Sequence, residues 1–493
     1  MEKQLVKINR KVLSKEKEIN LNLDFIVPDV KPDIVAIVDT NASTYIYNEE
    51  LGNGKIRLDG NVDSKVLYLS EAGETRSLSV MLDFSEVIED SQISSNLRYY
   101  SSVELLSIET KIVNERKVNV SARAKIYVSF YEAREIELIS SLDDFENLEK
   151  KEENYKIKNL IGANKAKASI KENLECDIMD SVLDILKTEV KIGRPENKVS
   201  YNKVLSKADC EVKIVYQTED MSIKVITGNY PIMSFIDLEN VDENHVLETN
   251  INLRNKQIFL AQNQTNKISI NLEFETSLEA YEIKEISVID DIYSLNKTIE
   301  FSKKEFEAEL FSETSENSLT VTEDVLLEDI SKIVDAMSSV RIVSKERVGG
   351  YVNYNIEVNL KIMYELDSRN GLAVKNTTFS TMTKIEEGEC DNTEFSISSE
   401  DYHLNNDRVS CNINLRSVLR KNSFKTISVL DNIVEKEDDE KSDYSMVIYF
   451  VKPKDTIWNI AKSFKVSMQS IIDTNNLENP DRINIGDRLY IVK

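Results

Sequence analysis

The sequence predicts a multidomain, mainly β chain: three diverged β-sandwich-like repeats followed by a small α/β module of βααβ order. Three observations carry this. The 493 residues are too many for one hydrophobic core. Two landmarks return twice at one interval, which marks internal repetition. Near residue 435 the strand-like alternation stops and a short helical pattern replaces it.

The first landmark is Ile37-Val38-Asp39, which recurs as Ile185-Leu186-Lys187 and Ile333-Val334-Asp335, an interval of 148 residues each time (39, 187, 335). The second is a tyrosine in "KVLYL", "KIVYQ" and "KIMYE", at Tyr68, Tyr216 and Tyr364. Before each tyrosine, apolar and polar residues alternate. In the third copy Val352, Tyr354, Ile356, Val358, Leu360 and Ile362 alternate with Asn353, Asn355, Glu357, Asn359 and Lys361. Period two means a strand with one buried and one wet face, and an even interval keeps the same face buried in every copy. A second strand closes each unit, "KVNVSARAKIYVSF" (117–130), "KISINLEFET" (267–276) and "RVSCNINLRSV" (408–418). An aromatic lies between the two strands each time: Phe84, Tyr230 and Phe379. The tyrosines are expected to pack at a strand end with the hydroxyl on a polar partner. Upstream, "PDIVAIVD", "DSVLDILK" and "DISKIVDA" read as one or two helical turns capped by Asp33, Asp180 and Asp329. Half-wet strands need a second layer, hence sandwiches or partly open barrels. The expected units are 1–145, 146–293 and 294–434, followed by a charged linker at 435–445 and the terminal module at 446–493.

The formal charge of −25 disfavours nucleic acid and anionic membrane as partners. The first twenty residues hold no uninterrupted apolar stretch, so no secretory signal is expected, and no run is long enough for a spanning helix. Cys176, Cys210, Cys390 and Cys411 are scattered without CxxC spacing, which fits a reducing cytosol and no metal. His245 and His403 stand in polar stretches. Phosphate-cradling and nucleophile motifs are missing, and no carboxylate pair stands out. The expectation is a chain that is not an enzyme and needs no cofactor.

In the terminal module Tyr449-Phe450-Val451 reads as a strand. Asp455-Thr456 can cap a helix with Ile457, Ile460, Ala461 and Phe464 on one face; Ser467 can cap a second. "NNLENPDRINIGDRL" is a turn-rich loop and "LYIV" a closing strand. The landmarks Tyr449, Asp455-Thr456-Ile457-Trp458, Ile460-Ala461, Asn475, Pro480, Ile483, Gly486 and Leu489 resemble a LysM domain. The resemblance implies a shallow groove built from Lys454, Asp455, Thr456, Ile457, Trp458 and Asn459 on one loop and Asn479, Pro480, Asp481, Arg482, Ile483 and Asn484 on the other. In the family that groove takes N-acetylated sugar oligomers. Lys454 stands where the family usually has glycine, and a lysine obstructs the positive φ that glycine permits, which argues against sugar. Trp458 has two open roles, packing within the module or partner contact. Basic residues outnumber acidic ones in the module, which suits an acidic protein partner.

Three diverged β repeats followed by LysM resemble the spore-coat morphogenetic proteins of the SipL type, with SPOCS domains. "PDIVAIVD … GNVDSKVLYL" (32–69) carries that likeness, and the later copies follow it more loosely. The resemblance implies a scaffold in the mother-cell cytoplasm, at the forespore surface and in the spore coat. Its LysM domain would bind a coat basement-layer ATPase (SpoIVA type) alongside other coat proteins. The alternative is a peptidoglycan or N-acetylglucosamine-oligomer binder.

Overall fold

A computed structural model describes residues 2–142, 145–261, 264–311, 314–367, 371–386, 392–420, 423–436, 445–480 and 482–492. Most of the charged linker, Cys390 and Asp481 lie outside these residues.

The alternation noted in the sequence becomes long antiparallel strands. The first unit holds β1 (Glu2–Ile26), β2 (Ile34–Gly52), β3 (Lys55–Ser70), β4 (Thr75–Glu89), β5 (Arg98–Asn114) and β6 (Lys117–Ser141). Sheet β2-β3-β4 packs on sheet β1-β6-β5. Val62, Val66, Tyr68 and Val80 from one layer meet Val118, Val120 and Ala122 from the other. The second unit repeats this with β7 (Leu148–Glu175), β8 (Val182–Ile192), β9 (Glu196–Ser200), β10 (Lys203–Thr218), β11 (Ile223–Asp237), β12 (Val246–Leu260) and β13 (Lys267–Ser294). Here Gly193-Arg194-Pro195 divides the strand equivalent to β2 into β8 and β9. The third has β14 (Thr298–Leu310), β15 (Thr314–Leu326), β16 (Ile330–Val348), β17 (Tyr351–Leu366), β18 (Leu372–Glu386), β19 (Asn392–Asn405), β20 (Arg408–Arg420) and β21 (Ser423–Lys436). Its sheets are β16-β17-β18 and β15-β20-β19, while β14 pairs with β21. The β-sandwich expectation therefore holds in all three units.

The helical turns expected after Asp33, Asp180 and Asp329 do not form. Those residues lie just before β2, β8 and β16, and each of these strands begins with two bulges close together. Val35 and Val38 are the extra residues in β2, Leu183 and Leu186 in β8, and Ser331 and Val334 in β16. A bulge resets the side-chain parity. Ile34 and Ile37, three residues apart, therefore both face their own sandwich core, as do Val182 and Ile185, and Ile330 and Ile333. Two bulges inside five residues imitate a helical period.

The second bulge has a larger consequence. It turns Val38, Leu186 and Val334 away from their own cores and into one shared cluster with Leu67, Val215 and Met363. These are two sets of equivalent residues, so the three sandwiches meet around a pseudo-threefold axis. The triplets Val66-Leu67-Tyr68, Ile214-Val215-Tyr216 and Ile362-Met363-Tyr364 are apolar without a break because both strand faces are covered there, one by the sandwich core and one by the axis.

The residue after each bulge sets the electrostatics of the junctions. Lys361 Nζ of the third unit lies 2.9 Å from Asp39 Oδ1 of the first. Lys213, the equivalent lysine of the second unit, pairs with Asp335 of the third. Lys65 of the first unit would meet an aspartate at position 187, but that residue is Lys187, which reaches Asp335 instead. At this junction Asp184 takes over, bonded to Lys31 Nζ (2.6 Å) and to the backbone N–H of Ser77 (2.9 Å). A second contact belt lies at the base. Ile136, Ile286 and Ile427 pack together with Leu138, Val288 and Val429, again one from each unit.

Gly60 of β3 illustrates how closely its neighbours in the sheet, β2 and β4, crowd the strand. A Cβ there would lie 2.5 Å from the Tyr45 carbonyl oxygen and would run into the Phe84 ring. Gly60→Ala is therefore expected to cost about 1–3 kcal/mol, read from the urea midpoint of unfolding.

Candidate functional site

The terminal module is built by local signals. β22 (Met446–Phe450) pairs with β23 (Arg488–Val492), and between them lie α1 (Ile457–Phe464) and α2 (Met468–Asn475). Thr456 caps α1 by accepting from the Asn459 N–H at 3.1 Å, and Ser467 caps α2 by accepting from Ser470 at 3.1 Å. Ile457, Ile460, Ala461, Ile471, Leu489 and Ile491 form the core. Asn475 locks α2 to β23, donating to the Tyr490 carbonyl at 2.8 Å and accepting from the Tyr490 N–H at 2.7 Å.

The two candidate groove loops are tied together through β22. Gly486 donates to the Val451 carbonyl at 2.8 Å, and Val451 donates to Asp487 at 3.0 Å. Asp455 accepts from the Lys452 N–H and the Tyr449 hydroxyl, both at 2.8 Å, and these bonds lower its carboxyl pKa. Lys454, Thr456, Asn459, Asn479, Arg482 and Asn484 are exposed along the loops. Asp455, Pro480 and Ile483 are half-buried, and Ile457 is buried in the core.

Lys454 corrects one expectation. It does not obstruct the left-handed turn; it occupies it, with φ 72°. The loop keeps the conformation glycine would give it and carries the strain of a side chain there. Lys454→Gly is expected to raise the stability of the module by about 0.5–1 kcal/mol, after the entropy glycine restores to the unfolded chain. Melting followed by the fluorescence of Trp458, the chain's single tryptophan, checks this.

Trp458 is half-buried against the sandwiches. Its Nε1–H donates to Asp291 Oδ2 at 2.8 Å, and Lys462 Nζ, one turn on, donates to Asp291 Oδ1 at 2.5 Å. Burial raises the Asp291 carboxyl pKa, but the bonds from Lys462 and Trp458 outweigh it and leave the pKa lowered. The Trp458 and Tyr293 rings meet edge to face with centroids 5.0 Å apart, and the Tyr293 hydroxyl donates to the Val466 carbonyl at 2.8 Å. Lys462 also lies 5.1 Å from the centre of the Phe301 ring. Asp291, Tyr293 and Phe301 escaped sequence reasoning because they lie some 160 residues before the module in strands β13 and β14, where they read as ordinary alternating positions.

Among the described residues no cluster of three or more His, Cys, Asp or Glu side chains is placed to hold a metal. No helix among them is long and apolar enough to cross a membrane. Cys176, Cys210 and Cys411 are free and buried.

The LysM family model matches residues 449–492. The model described as SipL, SPOCS domain matches residues 33–113 and 181–261. Those two segments run from β2 through β5 and from β8 through β12, so each includes the doubly bulged strand and the axis residues. Neither domain type is an enzyme family. No curated protein and no solved structure matches the chain.

Proposed function

We propose that this chain, which carries two SPOCS domains and a C-terminal LysM domain and so has the domain content of a SipL-type spore coat protein, is a non-enzymatic scaffold of endospore coat assembly. The sandwiches supply a rigid acidic body, and the LysM domain at its base is the docking head. The observation that carries this reading is the combination of SPOCS units with a LysM domain whose groove loops expose Lys454 and Arg482 while its α1 side rests on the body. Lys454 and Arg482 would meet acidic groups of a coat basement-layer ATPase (SpoIVA type), beside the hydrogen-bonding side chains of Thr456, Asn459, Asn479 and Asn484. The protein would act in the mother cell, at the forespore surface. Pull-down from sporulating-cell extract with the full chain should recover the ATPase, and Lys454→Glu/Arg482→Glu should remove it. Unchanged recovery from that variant would refute the docking role.

A second reading has its own support. Because Lys454 takes the glycine-type conformation, the groove loop keeps a LysM shape, which favours binding of N-acetylglucosamine oligomers. Titration calorimetry of the full chain with such oligomers decides it: saturable heat supports sugar binding, and its absence removes that reading.

A further inference from the structure

The α1 side of the LysM domain is occupied by the chain itself. Trp458 and Lys462 lie on one helical stripe at i and i+4, and Lys465 follows as the left-handed cap that ends α1. They meet the end of β13 and the start of β14, where Lys465 Nζ approaches Thr298 Oγ1 at 3.3 Å. The segment Asp291-Ile292-Tyr293 is extended, so its side chains alternate. Ile292 points into the base of the body, while Asp291 and Tyr293 point to LysM. Asp291 satisfies the indole N–H and the lysine with its two oxygens. The Tyr293 hydroxyl satisfies a carbonyl just past the end of α1, where backbone acceptors lack helical partners. The ring of Tyr293 covers the ring of Trp458. A carboxylate and an aromatic hydroxyl two residues apart on a strand thus satisfy the indole N–H, the Lys462 ammonium and a carbonyl past α1 on this face.

We infer that Asp291-Ile292-Tyr293 is an internal ligand of the LysM domain, and that an extended protein segment of the same chemistry, an acidic residue two positions before a tyrosine, competes with it for the α1 face. This rests on LysM being the docking head proposed above. The internal segment is tethered, and its local concentration is of order millimolar. An external segment therefore binds with its intrinsic affinity reduced by the fraction of molecules whose clasp is open. The clasp keeps the second face closed while the groove loops remain available. It gives one small domain two docking faces, one open and one guarded.

The experiment uses the full chain and its single tryptophan. The probe is a synthetic peptide with the sequence of residues 288–296, VIDDIYSLN. In Asp291→Asn, and separately in Tyr293→Phe, Trp458 emission should shift to the red and become more open to acrylamide quenching. The peptide should then restore the wild-type emission saturably, at a concentration at least tenfold below any that affects the wild type. A peptide with alanine for its second aspartate should fail. Lys462→Ala, which leaves the body untouched, should show the same red shift with weaker rescue. Unchanged emission in all three variants, or no saturable rescue, overturns the internal ligand. Because no ATPase is present, that failure leaves the docking role of the groove standing, and loss of ATPase recovery leaves the clasp standing.

Discussion

Replacing Asp335 with alanine is expected to destabilise the chain by about 3–5 kcal/mol, because it strands two lysines at a junction between sandwiches. The Asp335 side chain is 1% exposed and that of Lys187 is 6% exposed. Lys187 hydrogen-bonds one carboxylate oxygen, and Lys213 faces the other as an ion pair. With the carboxylate gone, Lys187 keeps Glu189 at 3.7 Å and the weakly accepting Met337 sulfur at 3.5 Å. Denaturant unfolding gives the loss directly. The triple variant Lys187→Met/Lys213→Met/Asp335→Leu should recover most of it, since apolar side chains of similar volume remove the desolvation cost along with the attraction. Failure to recover would mean that the ion triad fixes the geometry of the junction as well as its energy. Burial raises the Asp335 carboxyl pKa, yet the two lysines outweigh it and leave the pKa lowered from its usual 3.8. A lowered folded-state value places this contribution above pH 4, with loss as pH falls through the folded value. The variant should therefore flatten the acid limb of the stability profile.

Leu186→Asp is expected to open the ring of sandwiches. Leu186 is fully buried in the cluster on the axis and belongs to none of the sandwich cores. Leu186→Ala should already cost about 2–5 kcal/mol. An aspartate adds an unpaired buried charge at the place where all three units meet. The expected result is an increased radius of gyration in X-ray scattering and faster protease cleavage between units, with strand content retained. Leu183 is the control. It is the other bulged residue of β8, 36% exposed, and Leu183→Asp should change stability by less than about 1 kcal/mol. Equal effects at the two positions would mean that the axis cluster does not hold the units together.

Most strands were legible in the sequence because period-two alternation survives divergence: the residues before Tyr68, Tyr216 and Tyr364 are the buried face of β3, β10 and β17. Of the three tyrosines, Tyr68 reaches the Pro32 carbonyl at 3.1 Å and Tyr216 reaches Asp180 at 2.7 Å, as a packed tyrosine with a polar partner should. The Ile-Val-Asp landmark marks the repeat but not its conformation. Its apolar spacing is helical on paper because two bulges reset the parity, and a single sequence does not separate a doubly bulged strand from a short helix. The unbroken triplets such as Val66-Leu67-Tyr68 were the missed signal of a second buried face. In the LysM domain the caps at Thr456 and Ser467 were legible, since capping is local. The contact of Trp458 with Asp291 was not, because nothing in either segment encodes the other.

Three sandwiches form one closed body around the Val38, Leu186 and Val334 cluster. Scanning calorimetry of the full chain tests it most directly. Closure predicts that the sandwiches unfold in one transition, with the calorimetric enthalpy equal to the van't Hoff enthalpy, and that Leu186→Asp splits that transition. Three separate transitions in the wild-type chain, unmoved by Leu186→Asp, would contradict it.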